Sequence, residues 1–481
     1  MNSRSTNVTD FLLAGKDMGR IALRLVDREH SYGELQDTSA AIARYLPQIT
    51  GQKGDLVILI SDNSFFWVAA YLGILRAGLI CVPLPTGIAP QDLDYILRVT
   101  EARIACVQAG FATRNGAHFR GCHWITDRDM PQLPGLTSQA SLPGLLSGTN
   151  SGQDPLPTIC ADELAALMFT SGSTGKPRGV MVSHRNIMAN TESIIEYLHL
   201  AANDRLMTVL PFHYCFGTSL LHTHLKVGAS LVLDSRFMYP EIVLQRMLDS
   251  ECTGFAGVPS HFQILLRSSS IRKKQFPCLR YVQQAGGHLA PSFIRELREA
   301  LPETQVFVMY GQTEATARLS YLPPEFLETK SGSIGKGIRG VTLRVLNESG
   351  DEVRPGEVGE IVAEGENITR GYWRAPEESA NSFRAQRLYT GDLAKVDEDG
   401  FIYVVDRAKD FLKCGGKRIS CRQLEEQLLA FDDLLEAAVL GVPDEVLGER
   451  VKAFVVFRNG ESAGLEERLR LFCKGRIPAQ L

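Results

Sequence analysis

The chain has 481 residues, 44% of them hydrophobic and 22% charged, so it can bury a large core, and disorder along its whole length is excluded. At roughly 100–200 residues per domain it holds about three units. Lys+Arg is 51 against 55 Asp+Glu, a net charge of -4, which excludes a global basic field for nucleic acid and a polybasic signal for a membrane surface.

Ten cysteines are scattered without a CxxC spacing. A chain of this size needs no disulfide scaffold, so they read as free thiols in a reducing compartment. The N-terminus, MNSRSTNVTD, has no apolar core of a secretory signal. The most membrane-like stretch, 65–84, is interrupted by Arg76 and Pro83, and reads as a soluble helix followed by a strand, not a transmembrane segment. The expected location is the cytoplasm.

In chain order, 56–60 (LVILI) is a buried strand, and Asp62, Asn63 and Ser64 offer N-caps for a helix over 65–77. Gly78 ends it, and a strand begins at 80–82. A helix over 92–99 and a strand over 104–107 continue an alternation that implies parallel crossover units. Residues 108–160 are rich in Gly, Ser, Pro and Thr and read as a surface excursion. Order returns at 164–169. Strands follow at 206–210, 230–233, 254–258, 281–285 and 305–310, with helices starting at Pro240, Pro259 and Pro291. From 331 to 405 the texture is short β segments (341–345, 359–363, 401–405) with hairpin turns at 347–350 and 397–400. The tail is compact α+β, with helices at 422–430 and 465–474 and strands at 437–442 and 451–457.

The sharpest local signal is TSGSTGKPRG at 170–179, entered by one strand and left by a second apolar run, 180–182. Three Gly, two Ser and two Thr in ten residues let the backbone fold round an anion, and the Lys176 and Arg178 charges can reach phosphate oxygens. It is not a Walker A loop: Thr170 stands where that motif needs Gly, and Pro177 follows Lys176. Composition alone fits a flexible hairpin tip too. Gly335-Lys-Gly-Ile-Arg-Gly340 matches GxGxxG but precedes a strand pattern, so it is read as a turn and not a dinucleotide site. His213, His222 and His224 lack carboxylate or thiol partners at zinc spacing. His213 either borders a cleft or packs in an aromatic loop. Tyr310-Gly-Gln-Thr-Glu314 follows a strand, where open α/β sheets place ligands. Thr313 could bond a phosphate and Glu314 hold Mg²⁺; the bland alternative is a turn with an exposed acid. Asp392 in Tyr389-Thr-Gly-Asp392 could accept from two ribose hydroxyls, or sit in an ordinary turn.

Ordered along the chain, TSGSTGKPRG (170–179), PFHYCFG (211–217), YGQTE (310–314), GEVGEI (356–361), YTGDLA (389–394) and DRAKDFLKCGGKRIS (406–420) resemble the adenylate-forming superfamily of acyl-CoA synthetases, peptide-synthetase adenylation domains and beetle luciferases. The resemblance runs from about Ala22 to the C-terminus. It implies an α/β fold: a large N-terminal domain over 1–408, with α/β subdomains at about 1–200 and 201–330 and a β subdomain at 331–405. A small mobile α+β domain at 409–481 follows.

The implied reaction has two steps. A carboxylate attacks the α-phosphorus of MgATP to give acyl-AMP and pyrophosphate, and a thiol of CoA or of a carrier-protein phosphopantetheine then displaces AMP. By resemblance, Thr170, Ser171, Gly172, Ser173, Thr174, Gly175 and Lys176 would cradle the β- and γ-phosphates, and His213 would gate the acyl or thiol channel. Gly286, Gly287 and His288 would line the adenine and acyl pocket. Tyr310 and Gly311 would border adenine, Thr313 would touch the α-phosphate, and Glu314 would hold Mg²⁺. Asp392 would bind ribose, Arg407 ribose or phosphate; Lys409 would be the hinge, and Gly415 and Gly416 would line the thiol tunnel.

Two departures stand out. Members that activate amino acids carry an Asp for the α-ammonium where a gapless reading here puts Cys215, and no acid lies between Asp204 and Asp234. An unpaired ammonium there would be costly, so the expected substrate is a fatty, hydroxy or aryl acid. The family's small domain also continues past the point matching Lys474–Pro478 to a Lys that bridges carboxylate and α-phosphate, whereas this sequence stops at Leu481. The small domain is therefore expected to be incomplete and adenylation weak, which leaves open a catalytically weak protein that binds acyl groups and nucleotide. An ATPase or kinase is disfavoured by Pro177. The partners expected are a small-molecule acid and, for a biosynthetic enzyme, an acyl or peptidyl carrier protein; no nucleic acid is expected.

Overall fold

Apolar β-branched runs between capped helices build the first sheet. In the computed structural model, which describes residues 7–49, 52–147, 156–170, 176–407, 411–414, 417–431, 433–444, 448–457 and 464–474, the strand Leu56–Ile60 lies between Ile80–Leu84 and Ile104–Val107, all parallel. Ser64 caps the helix Phe65–Arg76 by accepting from the Trp67 N–H, and every residue from Phe66 to Leu75 is buried. A helix apolar all round belongs in a core. It packs so closely on the helix Tyr32–Ile49 that a Cβ on Gly73 would stand 2.8 Å from Ile42. No helix among the described residues is long and apolar enough to cross a membrane.

The surface excursion expected at 108–160 is corrected. His123–Thr126 and Ser138–Ser141 extend the sheet in parallel, and Trp124 is fully buried. Gly and Ser density hid two four-residue strands too short to show a period. The sheet ends with Leu164–Thr170 beside Ile80–Leu84 and, antiparallel to it, Arg178–Ser183.

The second sheet has nine strands. Six are parallel, in the order Ile21–Arg24, Ser230–Leu233, Arg205–Thr208, Gly254–Gly257, Tyr281–Gln284 and Gln305–Tyr310. The helices Pro240–Asp249, Pro259–Ser268 and Pro291–Ala300 each begin on their proline, whose fixed φ suits the first turn. The order assigns Ile21–Arg24 and Glu29–Ser31, from the start of the chain, to this later sheet. Tyr32 ties them in, its buried hydroxyl donating to the Ala229 carbonyl at 2.7 Å. The GxGxxG stretch holds the edge strand Lys336–Gly337, paired with Ser320–Leu322.

Val341–Leu346, Val358–Gly365, Arg387–Val396, Phe383–Arg384 and Ile402–Arg407 form an antiparallel sheet. Its register shifts between Leu393 and Ala394, a bulge that re-aims the strand next to Asp392. A last four-stranded sheet, in the order Lys417–Ser420, Phe411–Cys414, Gly448–Phe457 and Leu434–Asp444, has its own core of Leu412, Leu424, Leu428, Phe431, Leu434, Val439 and Leu469.

Candidate active site

The two strands on either side of the Gly-rich stretch, Leu164–Thr170 and Arg178–Ser183, pair antiparallel, with Thr170 opposite Arg178 and Phe169 opposite Gly179. Ser171, Gly172, Ser173, Thr174 and Gly175 fall outside the described residues. Lys176 and Arg178, at its outgoing end, line a cavity of about 300 Å³ with Phe169, Trp373 and Arg374. Residues 371–373 lie along this pair of strands: Met181 N–H donates to the Gly371 carbonyl at 2.9 Å, and Trp373 N–H to that of Gly179 at 2.8 Å. That contact brings the Tyr372 ring to 4.9 Å from the Arg178 guanidinium carbon. The Tyr372 hydroxyl donates to Glu314 Oε1 at 2.8 Å, and burial, then the Glu314 charge, push the phenol well above its usual range. The basic end of the loop is thus one side chain away from Glu314.

Glu314 sits where the parallel strand Gln305–Tyr310 ends. Gly311 allows the chain to double back, since a Cβ there would meet the Ala317 carbonyl oxygen at 2.0 Å. Thr313–Ala315 make one tight turn. The Glu314 carbonyl accepts from the Thr369 N–H and hydroxyl, both at 2.9 Å. With Oε1 taken by Tyr372, no hydrogen bond from a described residue reaches Glu314 Oε2, which leaves a carboxylate oxygen that fits a hard cation. The Tyr310 hydroxyl donates to Asp392 Oδ2 at 2.6 Å, so the buried Asp392 joins the same strand end. Opposite Asp392 in the ladder is Arg407. One strand away, Gly286 follows Tyr281–Gln284 at φ +80, and Gln284 Nε2 donates to the Gly287 carbonyl at 2.8 Å, shaping the turn that leads to His288.

Asn63 clamps the loop before the helix Cys215–Val227, donating to the Leu210 carbonyl and accepting from the Phe212 N–H. A Cβ on Gly217 would meet the Pro211 carbonyl oxygen at 2.0 Å, so only glycine lets the helix return this close. Thr313 Oγ1 donates to Cys215 Sγ at 3.3 Å, and burial raises the thiol pKa. His213 is lowered to about 4 by burial, against a small opposing pull from Asp62, so its ring is neutral near pH 7. His222 and His224 do other work: they hydrogen-bond the Tyr71 and Tyr281 hydroxyls at 2.8 and 2.9 Å inside the core.

Arg178 therefore reaches Glu314 through Tyr372, Thr313 touches Cys215 and Tyr310 holds Asp392, while Lys176 shares the cavity lined by Arg178. Lys409, Gly415 and Gly416 fall outside the described residues. Sequence reading missed Tyr372. Its only signal is an aromatic after a glycine in Arg370-Gly-Tyr-Trp373, which does not specify a site.

Comparison with known proteins gives the family and similar solved structures. The AMP-binding enzyme family matches residues 13–373, and its C-terminal domain matches 423–480. A long-chain-fatty-acid–CoA ligase of Salmonella typhimurium is 28% identical over 479 residues, covering 93% of this chain and 84% of that one. The structure of the o-succinylbenzoate CoA synthetase of Bacillus subtilis in complex with its acyl-adenylate intermediate is 27% identical, with a TM-score of 0.83 over 98% of this chain and 92% of that one. The same synthetase with ATP and a magnesium ion gives a TM-score of 0.84 at 27% identity, over 98% and 94%. This chain belongs to the AMP-binding enzyme family of adenylate-forming proteins.

Proposed function

We propose that this protein is an acid–thiol ligase: it activates a carboxylic acid with ATP as acyl-AMP and passes the acyl group to a thiol. The observation that carries the reading is the run of contacts from Arg178 through Tyr372 to Glu314, with Thr313 and Asp392 on the same strand end. A carboxylate cannot expel oxide, whereas AMP is a good leaving group, so the site must bring two anions together and neutralise them.

Lys176 and Arg178, with the loop they close, would hold the β- and γ-phosphates. Thr313 would donate to the α-phosphate, and Asp392 would accept from the ribose hydroxyls while Tyr310 fixes its carboxylate. Glu314 would hold Mg²⁺ through Oε2, with Oε1 oriented by Tyr372; the ion would neutralise phosphate charge. The carboxylate oxygen bonds to the α-phosphorus as pyrophosphate leaves. The thiol sulfur then bonds to the acyl carbon, the C–O bond breaks, AMP departs, and the thiol proton goes to solvent. A neutral His213 suits a channel wall that both substrates pass. Lys409 would be the hinge between the two steps, within a division at about residue 408.

Cys215 puts no charge opposite an α-ammonium, which supports an acid without that amine. The acceptor is CoA, as in the named activities of the relatives, or a carrier-protein phosphopantetheine. Cys81, Cys106 and Cys252, buried thiols outside any disulfide, support a reducing compartment such as the cytoplasm.

The test is a panel of carboxylic acids, measuring pyrophosphate and AMP with and without CoA or a loaded carrier protein. Acid-dependent pyrophosphate release and thiol-dependent AMP release are expected. Phosphate and ADP as products, or no release with any acid, would overturn the assignment.

A further inference from the structure

Two polar side chains lie deep beside the site without the partners their burial demands. Arg318 is 1% exposed and Gln283 is fully buried. Arg318 Nη2 and both amide atoms of Gln283 have no hydrogen-bond partner among the described residues. Folded proteins pair nearly all such groups, and an uncompensated buried guanidinium is the costliest of them. No carboxylate lies within ion-pair reach of Arg318 among the described residues. Its contacts are Nε to the Tyr197 hydroxyl at 3.2 Å and the guanidinium over the Phe216 ring at 4.6 Å, neither of which supplies a negative charge.

The backbone holds Arg318 there firmly. Its N–H donates to Asn190 Oδ1, and its carbonyl accepts from Asn190 Nδ2 and Asn367 Nδ2. Thr316, a β-branched residue at φ +67, turns the chain inward two residues before. Strain of this kind persists only where the surroundings over-determine it, and it clusters at ligand sites.

Both groups face one apolar cluster. Gln283 alternates with Tyr281 and Ala285 on one face of its strand and stands in register with Ala256 and Phe307. These four belong to the same buried cluster as Tyr197 and Phe216. Phe216 follows Cys215, which bonds Thr313, so the cluster begins where the activated carboxyl would lie and runs inward between sheet and helix. Lys176 and Arg178 already provide cations at the phosphate end.

Building on the function proposed above, we propose that the acid this enzyme activates is a dicarboxylate. Its second carboxylate sits in this cluster against the Arg318 guanidinium, with the Gln283 amide donating to it. The apolar side chains between the two ends hold the linking carbons. Arg318 and Gln283 would then select the substrate by leaving a buried cation unpaired whenever a monocarboxylic acid binds.

The test compares straight-chain mono- and dicarboxylic acids of equal length, reading kcat/KM by pyrophosphate release, on the wild type and on Arg318→Met, Arg318→Lys and Gln283→Leu. The wild type is expected to favour one diacid over its monoacid by at least about 100-fold, as sites built for a polar group reject analogues lacking it. Arg318→Met should collapse that ratio to below about tenfold, Arg318→Lys should restore part of it, and Gln283→Leu should cut diacid turnover about tenfold. That diacid should also raise the wild-type melting temperature without ATP, and not that of Arg318→Met. Monoacids turned over as well as diacids by the wild type would overturn the inference and leave the ligase assignment standing, even if Arg318→Met fails to fold. Equal loss for both acid classes in a folded Arg318→Met would also overturn it, by assigning Arg318 to the reacting carboxylate. No release with any acid would instead defeat the ligase assignment.

Discussion

Gly311→Ala tests how tightly the strand end at Glu314 is held. A Cβ at this position would lie 2.0 Å from the Ala317 carbonyl oxygen, 2.8 Å from its carbon and 2.9 Å from Arg318 Cα, all backbone atoms, whereas real Cβ contacts essentially never fall under 3.0 Å. The loop must therefore open by about 1 Å, and a misplacement of that size at a reacting centre costs about 100-fold in rate. Thr313 and Glu314 lie inside the displaced segment, so kcat/KM for acid-dependent pyrophosphate release should fall by about 100-fold, or about 2.7 kcal/mol of transition-state stabilisation. Overpacking should destabilise the fold by only about 1–3 kcal/mol, leaving a cooperative melt. Gly110→Ala, where an added Cβ meets nothing within 4 Å, is the control and should leave turnover unchanged. Activity of Gly311→Ala within about threefold of wild type would refute the idea that this return of the chain positions the reacting groups.

Glu314→Gln should lower kcat by about 100–1000-fold, as loss of an aimed electrostatic group does, and blunt the response to Mg²⁺ in a titration of turnover; an unaltered Mg²⁺ optimum would remove the ion from this carboxylate. Acid should weaken the fold through its buried histidines. His222 is held to about 3, and His184 and His224 to about 4, by burial, so the unfolded chain takes up protons first. Their stabilisation is complete above the ordinary value of 6.5 and is lost as pH falls toward these values. The melting temperature should drop between pH 7 and 5, and His222→Leu should show a shallower drop; parallel curves would contradict this. Asp204 is buried and doubly bonded by Arg280, at 2.9 and 2.7 Å, so Arg280→Met should cost about 2–3 kcal/mol. That is below the full range for a buried pair because the Arg280 side chain is 35% exposed, and equilibrium unfolding would measure it. Iodoacetamide should label the exposed Cys160 and Cys278 well before Cys215, whose raised pKa keeps it a thiol; mass spectrometry of timed samples would reveal any other order.

The parallel strands were legible because a strand buried on both faces reads as an unbroken apolar run, and the helices starting at Pro240, Pro259 and Pro291 because proline fixes the first turn. His123–Thr126 and Ser138–Ser141 were not, since each is held by its neighbour in the sheet rather than by its own pattern. The membership of Ile21–Arg24 was equally hidden: pairing with Ser230–Leu233 is a contact across two hundred residues that periodicity does not carry. At the site, Thr313 and Glu314 stood out as polar residues in a turn after an apolar run, and Asp392 as an acid in a short polar stretch that reads as a turn but lies within the strand Arg387–Val396. Tyr372, Gln283 and Arg318 did not, because what distinguishes them is burial against partners far along the chain. Arg318 in particular reads as an ordinary surface charge until the turn at Thr316 is seen to send it inward.

The most direct measurement of acyl-adenylate chemistry is isotope transfer. The acid is supplied with ¹⁸O in the reacting carboxylate, together with ATP and CoA, and the AMP is analysed by mass spectrometry. Attack of that carboxylate on the α-phosphorus followed by thiol displacement predicts one ¹⁸O in each AMP formed. Unlabelled AMP, or label appearing in inorganic phosphate alongside ADP, would contradict it.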